Sequence, residues 1–85
     1  MVEDIINKIP QEVLLRGVIA SNMKLLREEH GITQEELATQ TGINRVTITR
    51  YETSQVSVSL LNLLKISKAL GVEPSALLKG WEKII

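Results

Sequence analysis

Apolar residues recur at helical spacing, and no stretch alternates polar and apolar residues long enough to predict a strand. Val2, Ile5, Ile6 and Ile9 fall at i, i+3, i+4 and i+7, which predicts one apolar helical stripe over residues 2–9. Glu3 and Asp4 lie favourably near its start. Pro10 punctuates and suits the first position of a new helix. Residues 11–29 predict a long helix, weakened at Gly17, with two stripes. Leu15, Ile19, Met23 and Leu26 form one, and Leu14, Val18 and Leu25 form the other, so this helix expects two neighbours. His30-Gly31 ends it.

Two short helices follow, each with its own start and stop. Thr33-Gln34-Glu35-Glu36 reads as a capping box, and Ile32 and Leu37 form the matching hydrophobic staple. Gly42 stops this helix where a positive φ is needed. Asn44 caps the next one, over residues 43–53, with Ile43 and Ile48 as its staple. Ile48 and Tyr51 share one face, with Arg45, Val46, Thr49 and Arg50 mostly on the other. Val46-Thr47-Ile48 are three poor helix formers in a row, so tertiary packing must hold this helix. Residues 53–58 predict a loop, Ser59 caps a helix through Leu70, and Gly71 stops it. Glu73-Pro74 opens a last short helix through Leu78, and Gly80 breaks before an apolar tail, Trp81 to Ile85.

Composition narrows the function. Eighty-five residues suffice for one domain. Tyr51 and Trp81 are the only aromatics, so Leu, Ile and Val must build the core. Ten Lys plus Arg balance ten Asp plus Glu, which excludes coating of nucleic acid by bulk charge. With no Cys, one His and no Gly-rich phosphate loop, the residues point to no metal, no cofactor, no small-molecule substrate and no enzyme. No apolar run reaches membrane-span length, and the acidic start, Glu3-Asp4, is unlike a secretion signal. A soluble cytoplasmic protein is the expectation.

Two capped helices joined through Thr41-Gly42-Ile43-Asn44 are the signature of a helix-turn-helix. In such a unit the second helix lies in the DNA major groove. Residues 19–78 resemble, without a gap, the Cro and phage-repressor type of helix-turn-helix, the XRE family. The likeness is carried by residues 24–31 (KLLREEHG), 32–38 (ITQEELA), 41–44 (TGIN), 47–52 (TITRYE) and 63–72 (LLKISKALGV). It implies an all-α, five-helix lambda-repressor-like domain over 18–79. An extra N-terminal helical segment (1–17) and the apolar tail (80–85) flank it. It further implies a regulator of transcription, a repressor by expectation, acting as a homodimer on a palindromic operator.

The resemblance also assigns roles by position. Arg45, Val46, Thr49 and Arg50 are expected at bases, Arg45 through guanine and Val46 through a thymine methyl. Gln34, Thr33, Asn44 and Thr47 are expected at the DNA backbone. Glu52 is expected to pair with Arg27.

Two departures from the family pattern matter. The 53–58 loop (TSQVSV) is uncharged, and residues 16–56 hold five basic and five acidic side chains, so phosphate contacts by charge are few. The 1–17 segment is additional, and Leu25 and Leu61 replace residues more often polar. Either Leu14, Val18 and Leu25 pack on Val2, Ile5, Ile6 and Ile9, or they form a partner surface. Leu61, Leu64, Trp81, Ile84 and Ile85 are divided in the same way between core and a dimer or partner surface. The alternative function is a protein-interaction module, an antitoxin or adaptor, in which DNA binding is secondary.

Overall fold

The computed structural model describes residues 5 and 7–85. Among them every regular element is helical: α1 (Gln11–Glu29), α2 (Gln34–Thr41), α3 (Arg45–Glu52), α4 (Leu60–Leu70) and α5 (Pro74–Leu78), then a 3-10 turn (Trp81–Lys83). This is the all-α, five-helix architecture that the resemblance implies.

Local chemistry sets the boundaries. Pro10 stands at the N-cap of α1 rather than at its first helical position, with ψ 138°. Its carbonyl accepts from the N–H groups of Val13 and Leu14, and an extended residue there needs no N–H of its own. At the other end Ile32 N–H bonds back to Arg27 O (3.0 Å) around Gly31, which closes the helix with a left-handed residue. The capping box of α2 is complete: Thr33 Oγ1 accepts from Glu36 N–H, and Glu36 Oε1 accepts from Thr33 N–H. Gly42, at φ 73°, ends α2. Asn44 Oδ1 accepts from Val46 N–H at 2.7 Å and starts α3. Ser59 Oγ accepts from Asn62 N–H and starts α4.

Met23, Leu37, Ile48, Ile66 and Leu77, one from each helix, are fully buried and form the centre of the core. Tyr51, the single buried aromatic, accepts a hydrogen bond on its hydroxyl from Asn62 Nδ2 at 2.8 Å, which satisfies the phenol where it meets α4. α1 packs against both α3 and α5, as its two stripes require, while α2 packs on α3 and α4. Met23 is buried, with Ile19 and Leu26 packed beside it.

The second stripe meets its neighbours only in part. Leu14 and Val18 are half-buried, but Leu25 is exposed, and so is Ile5. Packing of Leu25 under the N-terminal segment is therefore not observed; Val2 and Ile6 lie outside the described residues. Leu14 instead shares a concavity with Ile9 and Ile84, and Gln11 Nε2 donates to Ile84 O at 3.3 Å. The C-terminal tail thus returns to the start of α1. Asn22 Nδ2 holds the approach to that tail by donating to the carbonyls of Leu77 and Lys79.

Candidate nucleic-acid interface

The face of α3 is divided by its anchoring. Ile48, Tyr51 and Glu52 point inward and are buried. Arg45, Val46, Thr49 and Arg50, at i, i+1, i+4 and i+5, line a shallow concavity on the opposite side together with Gln55. The anchors decide this orientation, because Val46-Thr47-Ile48 has little helix propensity of its own.

A polar cluster fixes α3 to the rest of the domain. Arg27 on α1 grips Glu52 bidentately, Nε to Oε2 at 2.6 Å and Nη2 to Oε1 at 2.9 Å, while its Nη1 donates to Ile32 O at 2.7 Å. The side chains are only 11% and 2% exposed. The hydrogen bond to Glu52 is the main force holding the Arg27 guanidinium above its ordinary range; burial opposes it, and the charges of Glu52 and Glu28 add to it. Gln34, the first residue of α2, closes the cluster. Its Nε2 donates to Glu52 Oε1 at 3.0 Å, and its Oε1 accepts from Thr49 Oγ1 at 2.9 Å. One Gln34 amide proton remains, at the N-terminal end of α2, in the place expected of a phosphate ligand.

The expected DNA-facing residues therefore have different freedoms. Arg50 is exposed and enters no ion pair among the described residues. Arg45 is 62% exposed at its side chain and stands 4.0 Å from Glu35 Oε1, an exposed pair of little energy. Val46 is 57% exposed. Thr49 turns its hydroxyl inward, to Gln34 and to Arg45 O, so its methyl group is what it offers outward. Thr33 and Asn44 are exposed with their side-chain oxygens engaged as caps, and Thr47 is half-buried.

Gln55 is the residue in this concavity that pattern reading passes over, because it sits in a loop without charge or periodicity. Its only signal is its position three residues after the buried Glu52. Leu60, 75% exposed beside Leu61 and Leu64, is likewise unforeseen among the apolar surface residues. Of the tail, Trp81 and Ile85 are exposed and Ile84 is half-buried. Among the described residues no group of His, Asp or Glu is arranged to hold a metal ion, and no helix is long and apolar enough to cross a membrane.

Residues 23–77, from the middle of α1 to α5, match the helix-turn-helix family HTH_3. The chain belongs to this family. It is an HTH_3 DNA-binding regulator of helix-turn-helix type, not an enzyme. Over 71 residues it is 41% identical to the hypothetical transcription factor of Neisseria meningitidis serogroup B, covering 84% of this chain and 67% of that protein. It is 40% identical over 60 residues to the antitoxin HipB of Escherichia coli O6:H1, covering 71% of this chain and 64% of the antitoxin. The chain thus spans about two thirds of the length of these relatives. Among solved structures, the restriction-modification controller protein C.AhdI of Aeromonas hydrophila superposes with a TM-score of 0.71 at 35% identity. That superposition covers 73% of this chain and 94% of the controller.

Proposed function

We propose that the HTH_3 chain represses transcription as a homodimer on a palindromic operator, working in the cytoplasm. The carrying observation is the outward row of Arg45, Val46, Thr49 and Arg50 on a helix anchored from behind by Glu52. Arg45 and Arg50 are long, exposed donors suited to guanine O6 and N7, and Val46 and the Thr49 methyl suit thymine. Gln34 takes the phosphate at the edge of the groove with its remaining N–H, and Thr33, Asn44 and Thr47 line the same edge. Two half-sites are needed because each monomer has little charge to offer phosphates. Leu61 and Leu64, exposed on α4, with Trp81, Ile84 and Ile85 of the tail, are the surface for the second copy.

The test is unbiased selection of bound duplexes, read together with the mass of the protein in solution. A palindromic motif with half-sites about one helical turn apart is expected. A motif without symmetry, or a monomer at the binding concentration, refutes the dimer.

The exposed leucines of α4 also favour a second reading, in which they hold another protein, as the antitoxin name of one relative suggests. Arg45→Ala with Arg50→Ala separates the two. Loss of duplex binding supports base reading, whereas failure of the unaltered protein to bind any duplex at low salt supports the interaction module.

A further inference from the structure

We propose that Gln55 reads a base, an adenine at the end of the half-site beyond that contacted by Arg50. This inference rests on the base-reading role proposed for α3.

Three observations carry it. First, Gln55 is exposed and lines the same concavity as Arg45, Val46, Thr49 and Arg50, so a duplex seated on those four residues meets it too. Second, it is held. Ser54 adopts the left-handed conformation at φ 62°, which turns the chain back over the end of α3, and Gln55 N–H bonds to Arg50 O at 2.9 Å. Its side-chain Nε2 donates to Thr53 Oγ1 at 2.8 Å, and Thr53 in turn donates to Thr49 O at 2.8 Å. The amide is therefore anchored to the same helix whose face reads the groove, and it loses little freedom on binding. Third, most of its side-chain hydrogen-bonding capacity is unused. One N–H and the carbonyl oxygen remain, and no described residue donates to that oxygen.

An adjacent donor and acceptor on a planar amide match adenine, whose N7 accepts and whose N6 amino group donates in the major groove. The surrounding loop, residues 53–58, carries no charge, so it adds no ionic contact to phosphates. Gln55 follows the last turn of α3 and, through its N–H bond to Arg50 O, sits next to Arg50, so the adenine adjoins the base that Arg50 contacts.

Duplex selection is repeated with the unaltered protein, Gln55→Ala and Gln55→Glu. In the first, one column of each half-site is expected to favour adenine. Gln55→Ala is expected to flatten that column alone and to weaken binding to the preferred duplex about ten-fold. Gln55→Glu is expected to move the same column toward cytosine, whose N4 amino group donates to a carboxylate. A role confined to bracing the loop lowers affinity for every duplex alike and leaves all columns intact, which overturns the proposal. Should the unaltered protein select a motif that neither variant alters, Gln55 is refuted and α3 stands. Should it select none, the base-reading role of α3 fails first.

Discussion

At the scale of single residues, Glu52 joins fold and function. Its carboxylate receives Arg27 from α1 and Gln34 from α2, and its backbone belongs to α3, the helix proposed to read DNA. Removing it leaves the Arg27 guanidinium buried without its partner, a loss of about 3–5 kcal/mol in comparable buried pairs. Domains have only about 5–15 kcal/mol in all. Glu52→Ala is therefore expected to lower the denaturation midpoint sharply, and a midpoint unchanged in urea would contradict the role given to the pair. The Arg27 side of the pair also fixes a pH dependence. A cation whose folded pKa is raised contributes stability that is fully present below its unfolded value and is lost only as pH rises through the folded one. That window lies on the strongly alkaline side, so Arg27 adds no slope to stability between about pH 6 and pH 9.

At the scale of elements, the turn between α2 and α3 determines how the two helices are presented. Gly42 is left-handed at φ 73°, and a Cβ built there meets nothing within 4 Å. The demand for glycine is thus one of backbone conformation, not of space. Gly42→Val is expected to cost about 1–3 kcal/mol, and Gly42→Asn clearly less, because asparagine tolerates this region. Thermal melts of the two variants distinguish this from crowding, which would penalise both by size. The elements also show what was legible from sequence. Caps at Thr33, Asn44 and Ser59 and stops at Gly42 and Gly71 are local chemistry, and all of them appear where the residues say. The inward hydroxyl of Thr49 was not legible, because it depends on Gln34, fifteen residues away, reaching the same point.

At the scale of the whole molecule, neutrality and exposed leucine surface act together. Zero net charge removes the long-range repulsion that opposes self-association. Leu60, Leu61 and Leu64 give α4 an apolar outer face. Leu61→Glu with Leu64→Glu is expected to yield monomers by sedimentation and to abolish tight operator binding while leaving the helical content unchanged. The same scale governs salt. With Arg45 and Arg50 given to bases and few other cations at each half-site, log K against log salt is expected to fall with a slope shallower than about −4, at about −0.9 per neutralised phosphate. A slope steeper than about −8 would mean that many more cations reach the backbone than this surface provides.

The sequence by itself determined the helices, their caps, the turn at Gly42 and the pairing of polar and apolar faces on α3, since each depends on residues within one or two turns of each other. It also pointed to Arg27 as the partner of Glu52, through the resemblance. Tertiary structure alone decided which apolar residues stay outside. Leu25 and Leu61 carry the same side chain as the buried Leu37 and Leu63, and only the packing of α1, α2 and α4 separates them. It alone brought the C-terminal tail beside Gln11, because such a contact depends on where the chain returns rather than on what each segment prefers.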